Sequence, residues 1–275
     1  MSKKLIITFL SFLSLYVPLT SENPTQADVA LISVAKSGTY LVSKCIEELT
    51  YKSRAYTPNC RYLKKLPNKN FAGTHFCHPK VVNRLLESPH IKKIIVNIRD
   101  PRDVLVSAAY YYNEFKYMDF SCPNDIRDLF SFKDRKMGVH QKIRFFLRQG
   151  LRGKHIPTMI YETQTVLSFI KKIKEREDSE RFLVLRFEDL VGEKGGEQLE
   201  TQQKTVQQLS DFLGCQIDEK QISKISEKLF GNTSTFRSGK IGSWKSHFDE
   251  TTKTMFKILL ADDLIELGYE KDKNW

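Results

Sequence analysis

The segment that most constrains the fold is residues 29–50, VALISVAKSGTYLVSKCIEELT. Its first part contains Leu31, Ile32 and Val34, a nearly continuous apolar run that is typical of a strand buried on both faces. After Gly38 the apolar residues follow helical spacing instead, at positions 41, 42, 45, 46 and 49. The hydrophobic period changes within a few residues, which predicts a strand, a tight turn and a helix in direct succession.

The predicted turn supplies an ammonium group, two hydroxyls and a glycine, from Lys36, Ser37, Gly38 and Thr39. A strand-to-helix turn points backbone N–H groups and the positive end of the helix dipole at one place, so this turn is a candidate site for phosphate or sulfate. The alternative is that it binds nothing, as in many α/β proteins. It is not a Walker A loop, because Lys36 precedes the only glycine of the turn, and this argues against an ordinary nucleoside-triphosphate kinase.

Length and charge restrict the class of protein. The chain has 275 residues, of which 40% are hydrophobic, so we expect one domain with a substantial core. Its net charge of +11 suits anionic ligands, which include nucleotides, sulfated or phosphorylated groups, nucleic acid and membrane surfaces. The basic residues are not gathered in a tail, which argues against an unstructured nucleic-acid arm.

The five cysteines are scattered and contain no C-x-x-C pair, so they predict neither a disulfide framework nor a zinc ribbon. His75, Cys77 and His78 lie close together in sequence. A metal site there would need a second pair of ligands from elsewhere in the chain, and we therefore expect no metal.

Residues 1–24 have the pattern of a secretory signal, in which two lysines precede an apolar run over residues 5–19 and polar residues follow. The run is short for a membrane-spanning helix, and no A-x-A cleavage site is evident. A short signal anchor, which would tether the chain to a membrane, and a buried N-terminal helix are the alternatives. We expect a secreted or membrane-anchored protein, with a cytoplasmic location as the alternative.

A second buried strand is predicted over residues 94–98, and it leads directly into Arg99. Asp100 suits the cap and Pro101 the first turn of a following helix. Ligands of open α/β sheets gather outside the carboxyl ends of the strands, so Arg99 is a candidate ligand-binding residue. The alternative is that Arg99 belongs to the helix start and is held by Asp100 or Asp103.

The remaining pattern predicts a third strand over residues 182–187 and helices over residues 142–151, 198–213, 222–230 and 255–267. Residues 51–70 are rich in Lys, Arg, Tyr and Asn and predict a loop, and His75 is expected to follow a small-residue turn. Residues 236–248 are basic and aromatic without a regular period, and Arg237 offers a guanidinium suited to phosphate. The alternative is a solvated basic loop that binds nothing.

Four of these stretches resemble motifs of the sulfotransferases that use 3′-phosphoadenosine 5′-phosphosulfate (PAPS). KSGT at residues 36–39 is similar to that family's 5′-phosphosulfate loop, and IRDPRDVLVS at residues 98–107 is similar to its 3′-phosphate motif. FRSGKIGSWKSHF at residues 236–248 resembles the late R-K-G-x-x-G-x-W-K loop, and RFEDL at residues 186–190 lies where the family has its Y-E-D-L strand end. The resemblance covers residues 28–275, and the order and separations of the motifs agree.

The resemblance implies an α/β fold with a central parallel sheet flanked by helices, a P-loop nucleotide-kinase-like architecture and a single domain. It implies transfer of a sulfuryl group from PAPS, as co-substrate, to a hydroxyl or amine of a small-molecule or glycan acceptor. It also implies that the reaction uses no metal and that the protein has no nucleic-acid partner. Lys36 would stabilise the leaving oxygen, and His75 of G-T-H would be the general base. The implied cofactor-binding residues are Lys36, Ser37, Gly38, Thr39, Tyr40, Arg99, Ser107, Phe187, Arg237, Ser238 and Gly239.

Several positions depart from the family pattern. Gly73 replaces the lysine of K-T-H, which removes a positive group near the transferred sulfuryl, and Ser238 replaces the lysine of R-K-G. Phe187 replaces the tyrosine of the Y-E-D strand end, Tyr40 stands where a second threonine is frequent, and Leu41 where a tryptophan often stacks on adenine. These departures keep open a non-catalytic module that binds nucleotide or sulfated polymer. A kinase-like phosphotransferase is the other alternative, although its Walker A loop is absent.

Overall fold

The apolar segment at the start of the described chain forms the central strand of a five-stranded sheet. The computed structural model describes residues 27–57, 66–76, 78–114, 137–152, 158–231 and 236–275. The strands are β1 Val29–Ser33, β2 Ser53–Tyr56, β3 Asn70–His75, β4 Lys93–Ile98 and β5 Phe182–Arg186. Their order is β2-β3-β1-β4-β5, and every pairing is parallel, as the sequence-based fold class requires.

Helices cover both faces of the sheet. Their bounds are α1 Thr39–Thr50, α2 Pro79–Glu87, α3 Pro101–Glu114, α4 Val139–Arg152, α5 Thr158–Lys174, α6 Phe187–Val191, α7 Leu199–Leu213, α8 Glu219–Leu229 and α9 Glu250–Glu266. The side chains of α1, α6, α7 and α8 form one apolar cluster with the sheet, and those of α2, α3, α4, α5 and α9 form the other. The result is a three-layer α/β arrangement.

The central strand explains why its sequence is apolar at nearly every position. Leu31 packs in the cluster on the α1 face, whereas Ile32 packs in the cluster on the opposite face, and neither side chain is exposed. Burying each of these side chains contributes roughly 1.5–3 kcal/mol to the stability of the fold. The predicted strand, turn and helix therefore stand in the middle of the hydrophobic core.

Two strands are absent from the sequence-based prediction, which is wrong at these positions. Residues 51–70 were expected to form a loop, yet Ser53–Tyr56 forms β2, and His75 ends β3 instead of following a turn. β2 is an edge strand with exposed and half-buried side chains, so it has no apolar run. β3 contains Ala72 and Gly73, small residues that suit a strand with neighbours on both sides but resemble turn residues in sequence.

The predicted starts of α8 and α9 are also wrong. α8 begins at Glu219 and α9 at Glu250, where the sequence pattern predicts 222 and 255. Both helices open with a polar turn that has no apolar period. Instead, the side chains of Asp218 and Asp249 accept hydrogen bonds from backbone N–H groups of the first turn, which fixes each start.

The predicted signal or anchor segment, residues 1–24, lies outside the described residues, so it stays a prediction. Among the helices of the described segments, none combines the length and the apolar character that a membrane crossing requires.

Candidate active site

The candidate site lies at the carboxyl edge of the three central strands. In the parallel register, Ser33 at the end of β1 pairs with His75 of β3 on one side and with Asn97 of β4 on the other. The chain that leaves β1 runs into the turn with Lys36, and the chain that leaves β4 runs into Arg99. The sheet order thus brings three separate sequence segments to one place, where ligands of open parallel sheets bind.

The turn after β1 is held by hydrogen bonds inside the core. The Ser37 hydroxyl donates to the Val34 carbonyl oxygen at 2.6 Å, and the side-chain amide of Asn97 donates to the Ser37 carbonyl oxygen at 2.9 Å. The Glu162 carboxylate accepts from the Ala35 N–H at 2.6 Å. These bonds fix the path of the backbone before helix α1 begins.

Lys36 sits at the strained point of this turn. Its φ of 68° lies in the left-handed region, which is uncommon for a residue with a side chain and occurs often at functional sites. Its ammonium group lies over the ring of Tyr111, with Nζ 3.7 Å from the ring centroid. The cation is therefore held near the carboxyl edge of the sheet by α3.

The N-terminus of α1 offers backbone donors. No side chain of the described segments caps this helix. Within the described part of the chain, the N–H groups of Gly38, Thr39 and Tyr40 have no protein acceptor, whereas the Ser37 N–H is bonded to the Val34 carbonyl at 3.1 Å. Three N–H groups at a helix start form a site that suits a doubly charged phosphate or sulfate.

Gly38 is required by both conformation and space. Its φ is 89°, and a Cβ atom at this position would overlap the ring of Phe187. The Arg99 guanidinium stacks on the same ring, 4.1 Å from its centroid. Phe187 is only 4% exposed, so it presents little surface to a ligand. Its ring packs against the turn at Gly38 and against the Arg99 guanidinium.

His75 is held through its Nδ1 atom. Nδ1 lies 3.0 Å from the Ser33 hydroxyl and 3.3 Å from the Ser33 carbonyl oxygen. The carbonyl can only accept, so Nδ1 carries the proton and Nε2 keeps its lone pair. Ser33 also shares a hydrogen bond of 2.8 Å with the hydroxyl of Thr39, which connects the histidine to the start of α1.

The surroundings of His75 keep its imidazole neutral. Burial lowers its pKa from 6.5 to about 4, and the nearby charges of His78, Arg54 and Lys36 act in the same direction, while the Ser33 carbonyl opposes them. A neutral histidine with a free Nε2 is the form that accepts a proton. The site therefore contains a base that is ready at neutral pH.

Two arginines form the second half of the site. Arg99 donates to the Lys240 carbonyl oxygen at 2.9 Å, and the Arg237 guanidinium lies over the ring of Tyr110 at 4.2 Å. The Nε atoms of Arg99 and Arg237 are both buried, and neither has a hydrogen-bond partner among the described residues. Burial lowers the pKa of Arg99, and the charge of Arg237 lowers it further, against Asp103, Glu188 and Asp100, so the two cations lie close together.

The late loop, residues 236–248, is fixed by Asp103, whose carboxylate is fully buried. It accepts hydrogen bonds from the Gly242 N–H at 2.8 Å, the Ser243 hydroxyl at 3.0 Å and the Trp244 N–H at 2.9 Å. It also lies 3.8 Å from the Arg99 guanidinium. The alternative prediction for Arg99 is thus partly correct, because Asp103 is its ion-pair partner, but the pair stands inside the candidate site.

Helix α3 connects the two halves. Asp103, Ser107, Tyr110 and Tyr111 follow helical spacing and lie along one side of the helix. Asp103 contacts the late loop, Tyr110 contacts Arg237, and Tyr111 contacts Lys36. Ser107 stands between these contacts along the helix. Its predicted role at the 3′-phosphate stays a prediction.

Ser238 and Gly239 follow Arg237 in the loop and are half-buried. Gly239 has a φ of 60°, and a Cβ atom there would lie 2.8 Å from the ring of Phe236, so a glycine is required. The next residues dock on a neighbouring turn, where the Ile241 N–H donates to the Gly195 carbonyl oxygen at 2.9 Å. Tyr40 is 39% exposed and lies under the guanidinium of Arg54.

The sequence pattern did not identify Asn97 and Glu162 as residues that hold the turn. For Asp103 it predicted the ion pair with Arg99 but not the hydrogen bonds to the late loop. Asn97 had a signal, since it is the one polar residue within the apolar run of residues 94–98. Glu162 had none, because its partner Ala35 is 127 positions away in sequence. In the segments that the structure describes, no group of three or more His, Cys, Asp or Glu side chains has the arrangement of a metal site.

The chain is similar to known proteins over most of its length. A family model described as a sulfotransferase domain matches residues 26–264. Among characterised proteins, "Sulfotransferase 6B1" of Mus musculus is 23% identical over 252 residues, which covers 82% of this chain and 72% of the mouse protein.

Two solved structures share the fold. Mouse sulfotransferase SULT7A1, complexed with PAP, superposes with a TM-score of 0.58 at 18% identity, covering 86% of this chain and 84% of the mouse chain. Retinol dehydratase, in complex with androsterone and the inactive cofactor PAP, gives a TM-score of 0.51 at 17% identity, covering 88% and 81%. At these identities the likeness shows the fold alone. The family match spans most of the chain, however, and the protein therefore belongs to the sulfotransferase domain family.

Proposed function

We propose that this protein transfers a sulfuryl group from PAPS to a hydroxyl or amine of a small-molecule or glycan acceptor. Membership of the sulfotransferase domain family supports sulfuryl transfer as the class of reaction. Both solved neighbours are complexes with PAP, the nucleotide that remains when PAPS has lost its sulfuryl group, and this supports PAPS as the donor.

The observation that carries the proposal is a pair of arginines, the buried Arg99 and the half-buried Arg237, whose Nε atoms are both buried. Among the residues that the structure describes, the Nε atoms of Arg99 and Arg237 have no hydrogen-bond partner, and the charge of Arg237 lowers the pKa of Arg99. Buried N–H donors without acceptors are costly, and so are adjacent like charges. An anion bound between them, such as the 3′-phosphate of PAPS, would satisfy both donors and offset both charges.

The turn after β1 suits the other end of the nucleotide. The N–H groups of Gly38, Thr39 and Tyr40 would hold the 5′-phosphate, and Ser37 would contribute by fixing the turn, because its own N–H is already used. Lys36 would place its ammonium beside the oxygen on which negative charge develops as the sulfur–oxygen bond breaks. Such a donor set stabilises charge by position and needs no covalent step on the enzyme.

His75 is suited to be the general base. Its Nε2 would take the proton of the acceptor hydroxyl as the acceptor oxygen bonds to sulfur, while the leaving phosphate keeps the electron pair of the broken bond. Ser33 holds the tautomer that this step requires. Because the pKa of His75 is lowered to about 4, the base is unprotonated across the neutral range.

The neighbourhood of the base suits a compact acceptor with an apolar body. The ring of Tyr56 lies 5.7 Å from that of His75, and the ring of Tyr111 contacts Lys36. Aromatic rings beside a base and a cation favour a phenol, a sterol or a similar alcohol, which is buried while its hydroxyl meets Nε2. One of the solved neighbours is a complex with androsterone, a ligand of this chemical type.

The experiment is a direct test of binding and turnover. Purified protein is titrated with PAP in a calorimeter and then incubated with radiolabelled PAPS and a panel of phenols, sterols, alkyl alcohols, amines and oligosaccharides. Labelled product on any acceptor supports the enzyme. Tight PAP binding without product on the whole panel would favour the non-catalytic module, and absence of PAP binding would refute the nucleotide site.

The cellular location follows from the N-terminal pattern and is a separate proposal. We expect secretion or membrane anchoring through residues 1–24. Sequencing the mature N-terminus of the protein from its native cells decides this, because loss of residues 5–19 means that the segment is cleaved.

A further inference from the structure

The guanidinium of Arg54 is a cation beside the candidate site that no motif includes. Arg54 lies on edge strand β2, opposite Phe71 in the register of β2 and β3. Its side chain nevertheless leans along the strand toward the carboxyl edge of the sheet, since a Cβ on Gly73 would lie 2.9 Å from both Cγ and Cδ of Arg54. The stem of Arg54 thus fills the space that a side chain at position 73 would occupy.

The head of this side chain reaches the start of α1. The Arg54 guanidinium lies over the ring of Tyr40, 4.1 Å from its centroid. Tyr40 belongs to the first turn of α1, whose N–H groups form the proposed phosphate site. Arg54 therefore borders the same recess as Lys36, but it enters from the β2 side.

Arg54 also faces His75. Phe71, Gly73 and His75 alternate along β3 toward the α1 face of the sheet, which is the side on which Arg54 lies. The charge of Arg54 is one of the groups that lower the pKa of His75, and Lys36 is another. Both cations are thus near the imidazole that would act as the base.

The charge of Arg54 is available to a ligand. Among the described residues, the guanidinium forms no ion pair, and Glu47 accepts a hydrogen bond from the backbone N–H of Arg54 and not from its side chain. The residue is half-buried, so part of its hydration is already lost. A guanidinium that is partly desolvated and has no ion-pair partner is stabilised by a bound oxyanion, because its N–H groups can donate to two oxygens of the anion at once.

We propose that Arg54 binds the sulfuryl oxygens of the donor during transfer, as the counterpart of Lys36 on the opposite side of the recess. This inference rests on the proposed function. His75 Nε2 takes the acceptor proton as the acceptor oxygen bonds to sulfur, the old sulfur–oxygen bond breaks, and its electron pair stays with the phosphate beside Lys36. Arg54 neither gains nor loses a proton, and it contributes charge and hydrogen bonds to the oxygens of the group that moves.

The test separates the sulfuryl group from the rest of the nucleotide. The affinities of PAPS and PAP are measured by calorimetry without acceptor, for the wild type, Arg54→Ala and the exposed control Arg148→Ala on α4. We expect Arg54→Ala to weaken PAPS binding about tenfold and to change PAP binding less than about twofold, because PAP has no sulfuryl group. The control should change neither.

Rescue from a neighbouring strand tests the geometry. In the Arg54→Ala background the space over Gly73 is empty, so Gly73→Lys should direct a cation into the recess and restore much of the preference for PAPS over PAP. In the wild-type background the same substitution meets the stem of Arg54 and should lower PAPS affinity. Failure of the double variant to recover, with a folded protein, would contradict the position proposed for the guanidinium.

A readout without nucleotide accompanies these measurements. Titration of His75 by nuclear magnetic resonance should show a higher pKa in Arg54→Ala than in the wild type, since a nearby positive charge is removed. If Arg54→Ala does not fold, Arg54→Lys and Arg54→Gln replace it, and the expected order of PAPS preference is Arg, then Lys, then Gln.

The failures of the two proposals are distinguishable. An unchanged ratio of PAPS to PAP affinity in folded Arg54→Ala or Arg54→Gln would overturn the role of Arg54, while PAP binding by the wild type would leave the proposed function standing. A wild-type protein that binds neither nucleotide would overturn both.

Discussion

The two halves of the candidate site are built in different ways. The turn at residues 34–38 is fixed from within the core, by bonds from Ser37 to Val34 and from Asn97 to Ser37. The late loop, residues 236–248, depends mainly on one carboxylate, that of Asp103, for its position at the site. The hydrogen bonds of the turn suit it to hold a catalytic side chain in a fixed position. The loop packs against α3 through Asp103, which suits it to bind the nucleotide.

This difference leads to an expectation about kinetics. Loss of Lys36 in the turn, or of His75 beside it on β3, should lower kcat and leave nucleotide affinity nearly intact, because both side chains would act on atoms that change during transfer. Loss of Arg237 in the loop, of its Asp103 anchor, or of Arg99, which donates to the loop at the Lys240 carbonyl, should weaken nucleotide binding. Both arginines would contact a phosphate that does not react. The following predictions test this division, from the largest expected effect to the smallest.

Lys36→Ala is expected to lower kcat by about a hundredfold or more, since it removes the ammonium that would meet the leaving oxygen. PAP affinity should change by much less, and the thermal unfolding midpoint should be retained. Turnover of labelled PAPS, calorimetry with PAP and a melting curve provide the three measurements. Lys204→Ala, an exposed lysine on α7, is the matched control. An unchanged kcat would remove the role of Lys36.

Arg99→Ala is expected to weaken PAP binding by roughly thirtyfold, because it removes the charge-assisted contact that Arg99 would make to the 3′-phosphate. Binding of AMP, which lacks that phosphate, should change little. Calorimetry with both nucleotides measures the difference, and Arg84→Ala, on the exposed side of α2, serves as control. Equal losses for PAP and AMP would show that Arg99 does not recognise the 3′-phosphate.

Asp103→Asn keeps the shape of the side chain but removes its charge and one acceptor. We expect PAP affinity to fall about tenfold as the late loop loosens, with kcat at saturating PAPS reduced far less. Limited proteolysis should show faster cleavage near residues 236–248 than in the wild type. Asp262→Asn, at an exposed carboxylate on α9, is the control. If kcat fell and affinity did not, the division between turn and loop would be wrong.

Ser33→Ala removes one of the two partners of His75 Nδ1 and leaves the carbonyl. We expect kcat to fall about fivefold, because the tautomer with a free Nε2 is less strongly favoured. Ser33→Thr, which keeps the hydroxyl, should recover most of the loss. Long-range proton–nitrogen correlation spectra report the tautomer directly. A His75 that is protonated on Nε2 in the wild type would contradict its role as base.

The smallest change is expected for the wild type on mild acidification. Because the pKa of His75 is lowered to about 4, kcat/KM should stay nearly constant from pH 7 to pH 5 and fall only near pH 4. Stability responds in the same direction. The unfolded chain binds a proton at this residue below pH 6.5, whereas the folded chain does so only near pH 4, so the free energy of unfolding decreases as the pH is lowered through this window. His75→Gln should weaken that decrease.

The fold was predictable where the signal is local. The change of period around Gly38 and the apolar run before Arg99 indicated β1, α1, β4 and α3. The two strands are buried on both faces and must be apolar, and the two helices carry local start signals and helical spacing. β2 and β3 gave no such signal. The residue types there depend on contacts with side chains of neighbouring strands. Gly73, for example, leaves the space that the aliphatic part of Arg54 occupies.

The candidate site shows the same limit. Motif positions located Lys36 and the two arginines, but the residues that hold them in place come from distant segments. Asn97 is 60 positions from Ser37, and Asp103 is 140 positions from Ser243. A polar residue in a strand or at a helix start has many local uses, so only the folded chain reveals which partner it has.

The contact between Gly38 and Phe187 has a practical consequence for engineering. The ring occupies the volume in which a side chain at position 38 would begin, so the bend before α1 and the start of α6, directly after β5, depend on each other for their shape. Transferring the KSGT turn into another strand–helix scaffold would require an aromatic residue at the position of Phe187 as well. Without that aromatic ring, a cavity would lie beneath the grafted backbone, and the turn would lose the conformation that orients its N–H donors.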